Sequence, residues 1–99
     1  MSRKNSEIFP YGCIGSDTPE RVLYVELYGA GDDSLRMGKR LKCAATALNV
    51  GMTIRWIKDS ASAASAQIDG SVLLDKLVST EAVENQLRDW LEKHPHQQG

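Results

Sequence analysis

The chain has 99 residues and a mass of 10.9 kDa, enough for one domain with a single modest core. Hydrophobic residues make up 41% and charged residues 25%, proportions that exclude collagen-like, low-complexity and disordered classes for the chain as a whole. Twelve Lys and Arg against thirteen Asp and Glu leave a net charge of −1, which excludes bulk-charge attraction to nucleic acid or to a membrane surface.

The longest run without a charged residue, Cys43 to Ile54, is 12 residues. A membrane span needs about 18 or more, so no span is expected. Arg3 and Lys4 are followed by Ile8-Phe9-Pro10-Tyr11-Gly12, which is too short and too broken for the apolar region of a secretory signal. These features lead us to expect a cytoplasmic protein. The two cysteines, Cys13 and Cys43, have neither Cys-x-x-Cys nor metal-knuckle spacing, and a cytosol disfavours a structural disulfide. No metal and no cofactor is expected.

Residues 1–20 show no sustained period and are punctuated by Pro10, Gly12, Gly15, Asp17 and Pro19. They read as an irregular N-terminal arm with a small apolar cluster of Ile8, Phe9, Tyr11 and Ile14. A folded unit over 21–93 and a polar tail over 94–99 complete the organisation. Val22 to Tyr28 reads as a strand. Leu23, Val25 and Leu27 face the core, while Tyr24, Glu26 and Tyr28 form a half-polar opposite face. After Gly29-Ala30-Gly31, the oxygens of Asp32-Asp33-Ser34 suit a helix start. The helix is predicted to run from about Ser34 to Leu48, with Met37, Leu41, Ala44, Ala45 and Leu48 on one stripe. Gly51 is expected as the left-handed residue that closes it.

Met52 to Ile57 reads as a second strand, parallel to the first because a helix joins them. Lys58 to Ser65 is rich in Ser and Ala and has no apolar period. Asp69-Gly70 between Ala66-Gln67-Ile68 and Ser71–Leu77 predicts a hairpin with a type I′ turn, since both central residues need positive φ. Ser79 or Thr80 caps a final helix to about Lys93, carrying Val83, Leu87, Trp90 and Leu91 on one face. His94-Pro95 ends it. The fold class is therefore α/β, in the order β-α-β-β-β-α, with a mixed sheet and two main helices.

This order, with Gly29-Ala30-Gly31 at the first strand-to-helix turn and the Asp69-Gly70 hairpin behind, resembles the small thioredoxin-like proteins over residues 21–93. In that family Cys-x-x-Cys follows the Gly-x-Gly directly, and a cis-proline precedes the third strand. Here the two cysteine positions hold Asp32 and Leu35, and the proline position falls near Ala64. Thiol–disulfide exchange needs an activated thiolate and a resolving thiol one turn away, which Asp32 and Leu35 cannot supply. The resemblance thus implies a redox-inactive thioredoxin-like domain that acts as an interaction module.

Among candidate sites, Asp32 and Asp33 read as helix-start charges rather than a cation site, and Gly29-Ala30-Gly31 as a plain turn. Arg36, Lys39, Arg40 and Lys42 read as a solvated helix face. Cys43, beside Lys39, Arg40 and Lys42, is a candidate thiol whose pKa nearby cations would lower, alone or with Cys13. It supports an alternative reading as a thiol-redox or metal-handling protein. The strongest candidate is the second sheet face, Tyr24, Glu26 and Tyr28 with Arg55 from the adjacent strand. No helix is expected over it. Either the arm covers it, or it takes a protein partner or a second copy of the chain. No nucleic-acid partner is expected, because the net charge is negative and no aromatic motif of an RNA-binding sheet is present.

Overall fold

The computed structural model describes residues 5–9, 21–59 and 63–94, with the side chains of 5–7 left aside. Among these the elements are β1 (Asn5–Ile8), β2 (Val22–Tyr28), α1 (Asp32–Ala47), β3 (Gly51–Lys58), β4 (Ser65–Ile68), β5 (Ser71–Leu74) and α2 (Thr80–Lys93). The protein is α/β. Its strands form one mixed sheet in the order β1-β3-β2-β4-β5. β2 and β3 are parallel, and β1–β3, β2–β4 and β4–β5 are antiparallel.

The alternation in β2 buries Leu23, Val25 and Leu27. They meet Met37, Leu41, Ala44 and Ala45 from α1, Ile54 and Trp56 from β3, and Val83, Leu87 and Trp90 from α2 in one hydrophobic cluster. The two helices pack on each other on that side of the sheet. The apolar stripe expected along α1 is the stripe that is buried, apart from Leu48, which packs at its margin.

The turns follow from local chemistry, with three corrections. Asp69 and Gly70 take φ of 52° and 80°, the two positive values a type I′ turn demands, but β5 ends at Leu74 rather than Leu77. The Ser79 hydroxyl accepts from the Ala82 N–H at 3.2 Å and caps α2. At α1 the N-cap is Gly31, with no side-chain cap; Asp32 and Asp33 lie inside the first turn. There they offset the helix dipole instead of accepting the end N–H groups. The closing left-handed residue is Asn49, at φ 58°, not Gly51, which belongs to β3. The Val50 N–H donates to the Ala45 carbonyl at 2.9 Å and the Asn49 N–H to Thr46 at 3.1 Å. That pair of bonds is a Schellman closure, with buried Val50 against Ala45 as its apolar contact.

The arm departs most from expectation. Within 1–20, read as irregular, Asn5–Ile8 forms an edge strand on β3, so the order is β-β-α-β-β-β-α. The next residue, Phe9, is fully buried. Its N–H donates to the Ile54 carbonyl at 2.8 Å, and its ring meets Trp56 edge-on at a centroid distance of 5.2 Å. On the other side it fills the space over Gly38. A Cβ built there would lie 2.5–2.8 Å from three ring atoms, closer than real contacts allow. Phe9 is thus a core residue on the helix side of the sheet. Tyr11 and Ile14 lie outside the described residues.

His94, placed with the polar tail by its sequence, instead stacks on Trp90 at 4.3 Å. Its carbonyl accepts from Arg21 Nη1 at 2.6 Å, and the Arg21 guanidinium lies 5.2 Å from the Trp90 ring centroid. This group ties the start of β2 to the end of α2. Among the described residues no helix is long and apolar enough to cross a membrane.

Candidate functional site

Both α-helices contribute to the cluster on one side of the sheet, and pairing register identifies what the opposite face carries. Residues paired across neighbouring strands share a face. Ile8 pairs with Arg55, Arg55 with Glu26, Glu26 with Gln67 and Gln67 with Val72. One row therefore crosses all five strands, apolar at both ends and charged or polar between. Tyr24 with Thr53 lies one step along β2, and Val22 beyond it.

The large hydrophobics exposed among the described residues are Ile8 at 61%, Val22 at 45%, Tyr24 at 69% and Val72 at 60%. All four lie on this face, over which no helix packs among the described residues. A shallow concavity of about 440 Å³ opens between Ile8 and Tyr24, lined also by Glu26, Thr53, Arg55 and Asp69. The sequence singled out Tyr24, Glu26, Tyr28 and Arg55, and these four share the face as expected. It missed Ile8, Val22 and Val72. Ile8 was hidden in an arm with no period. Val72 sits on a strand whose register with β4 shifts between Ala66 and Gln67, and such a bulge breaks the alternation from which facing is read.

The two ends of the face differ. At the Tyr28 end, Ile57, the partner of Tyr28 in β3, is buried although it lies outside the helix-side cluster, and Tyr28 is half-buried. The Tyr28 hydroxyl titrates above its ordinary value. Partial burial disfavours the phenolate first, then the negative charge of Glu26, then the hydrogen bond the phenol makes with Glu26. The Tyr24 end is open. Phe9 turns to the helix side while Ile8 stays exposed, so the described part of the arm borders this face and does not cover it.

The three positions singled out at the first strand-to-helix turn divide. Asp32 and Ala64 line a second concavity of about 290 Å³ with Gly29, Ala30, Gly31, Asp33 and Ser34. Leu35 packs against the core instead. Gly29 has φ of 114°, and a Cβ there would lie 3.2 Å from the Ser34 Cβ and 3.3 Å from the Ala64 Cα. Close backbone approach between the turn and Ala64 thus requires glycine. Buried Ser34 donates its hydroxyl to the Gly31 carbonyl at 2.7 Å, and Trp56 Nε1 donates to the Gly29 carbonyl at 2.8 Å. These bonds fix the turn. Its side-chain chemistry is two exposed aspartates.

Cys43 is half-buried on α1 and engaged in a disulfide. This corrects its reading as a free thiol, and it sits against the expectation of a reducing compartment. Cys13 lies outside the described residues. Of the basic stripe, Arg36 and Lys39 are exposed, whereas Arg40 donates to the Val78 carbonyl at 2.8 Å and is a structural strut between α1 and the segment before α2. Among the described residues no group of three or more His, Cys, Asp or Glu is placed to hold a metal ion. Comparison with known proteins finds no family model, no curated protein and no solved structure that matches this chain.

Proposed function

We propose that this protein is a redox-inactive, thioredoxin-like interaction module that acts through the sheet face opposite its helices. The observation that carries the reading is the gathering of Ile8, Val22, Tyr24 and Val72 on that one face. Exposed apolar side chains scattered singly are normal. Here all four large ones stand on one sheet face, at both its edges and along its central strand, with Arg55, Glu26 and Gln67 between the edges. Such grouping on one face supports a contact surface. The thioredoxin-like part draws support from the parallel β2–α1–β3 unit with β4 and β5 on the β2 side. The approach of Ala64 to Gly29 beside the helix start supports it further. The family's reactive sulfurs are replaced there by a carboxylate and a core leucine.

Two measurements test this. In an insulin-reduction assay with a small dithiol as electron source, the protein should give no acceleration over the dithiol alone, and turnover would refute redox inactivity. In hydroxyl-radical footprinting of dilute protein, Tyr24, Ile8 and Val72 should react as exposed side chains. Protection of all three would remove the contact surface.

The disulfide at Cys43 favours a second reading, thiol chemistry on α1. It predicts that small thiols cleave the bond reversibly, two thiols yielding one external disulfide and two protein thiols. A bond that resists reduction until the chain unfolds is structural and eliminates this alternative.

A further inference from the structure

We infer that the partner fitted to this face is a second copy of the same chain, related by a two-fold axis running along β2. The inference rests on the reading of the face as a contact surface, and adds what occupies it.

β2 is the central strand, with β3 and β1 on one side and β4 and β5 on the other. A two-fold along β2 would lay two such sheets face to face, β1 over β5 and β3 over β4 of the second copy. Heights along the strands are unchanged by that rotation. Ile8 and Val72 both stand in the Glu26 row, each two strands from β2. The axis therefore sets Ile8 over Val72 of the second copy, and Val72 over its Ile8. Both are among the most exposed apolar side chains described. Asp69 follows Ile68, the partner of Val25, and so stands near the Tyr24 level on the β4 side. It falls within an arginine's reach of the second copy's Arg55. The pairing is reciprocal, as a two-fold interface requires. Tyr24 meets Tyr24 close to the axis.

The same geometry makes one contact adverse. Glu26 lies on the axis and faces its own copy, so two like charges meet. Arg55 beside it in the row and the Tyr28 hydroxyl moderate that repulsion without removing it. The outer strands are roughly 19 Å apart and β2 is about 23 Å long, a projected face on the order of 450 Å². This is below the about 800 Å² per partner of a standard interface. The expected assembly is a reversible dimer in the micromolar range or weaker.

Sedimentation equilibrium of the full chain from micromolar to millimolar concentration tests this. A monomer–dimer equilibrium is expected. Glu26→Gln, which removes the charge on the axis and keeps an acceptor for Tyr28, should tighten the dimer at least about threefold. Arg55→Asp should weaken it by roughly tenfold or more, and Arg55→Asp combined with Asp69→Arg should restore most of the loss. Far-ultraviolet circular dichroism checks that each variant is folded. A dimer that Glu26→Gln weakens, or that the charge exchange does not restore, overturns the two-fold. A monomer at every concentration whose Tyr24 reacts freely with hydroxyl radicals overturns the second copy and leaves the contact surface standing. A monomer with Tyr24 protected overturns both.

Discussion

Replacing Gly38 by alanine isolates the docking of the arm. Gly38 lies inside α1, where alanine is favoured over glycine by about 1 kcal/mol. On propensity alone Gly38→Ala stabilises. Its new Cβ, however, meets the Cζ, Cε1 and Cε2 atoms of Phe9 at 2.5, 2.7 and 2.8 Å. The ring is fully buried and braced by Trp56, so it cannot rotate into solvent to escape. Overpacking of this kind costs about 1–3 kcal/mol, and the net expectation is a loss of about 1 kcal/mol. In a Phe9→Leu background those three ring atoms are absent. The same Gly38→Ala change should there stabilise by up to about 1 kcal/mol, a coupling of roughly 2 kcal/mol between the sites. Urea denaturation followed by circular dichroism measures all four proteins. For a domain of this size 1 kcal/mol also moves Tm by about 4–8 °C. If Gly38→Ala stabilises equally in both backgrounds, Phe9 does not occupy the space over Gly38. The described end of the arm would then not be part of the core.

Other perturbations read other features. Asn49→Val forces a β-branched residue into the left-handed region at φ 58° and should cost about 1–3 kcal/mol, with Asn49→Gly close to neutral; equal stabilities would discount the closure of α1 described above. Trp56→Phe leaves the Gly29 carbonyl without its buried donor and should cost about 1–3 kcal/mol in denaturant titration. A loss under about 0.5 kcal/mol would mean that bond contributes little. Because the Tyr28 proton is held more tightly in the folded chain, the unfolded chain gives it up first as pH rises. Its contribution is complete below about pH 10 and declines as pH climbs through the higher folded value. Tyr28→Phe should flatten stability against pH in that alkaline window, and an unchanged slope would contradict the raised titration.

How much of this was legible in the chain follows from the range of each interaction. Periodicity over seven residues of β2 and sixteen of α1 reports local burial. It therefore identified the stripe Met37, Leu41, Ala44, Ala45 and the separation of Leu23, Val25 and Leu27 from Tyr24, Glu26 and Tyr28. Turn chemistry is equally local, since the positive φ of Asp69-Gly70 and the Ser79 cap depend on residues a few positions away. The ends of α1 were misassigned by a residue or two because several neighbours offer the right chemistry, and the fit of Gly31 and Asn49 to the backbone decides among them.

Pairing between distant segments obeys no local period. Nothing within residues 5–9 announces a strand, because β1 is stabilised by the β3 edge some fifty residues on, and Phe9 becomes a core residue because glycine at 38 leaves room for its ring. The contact face is a product of the same long-range register. Alternation states which side of its own strand a residue occupies, and the hydrogen-bonded order of the five strands alone brings Ile8 and Val72 into one row with Glu26.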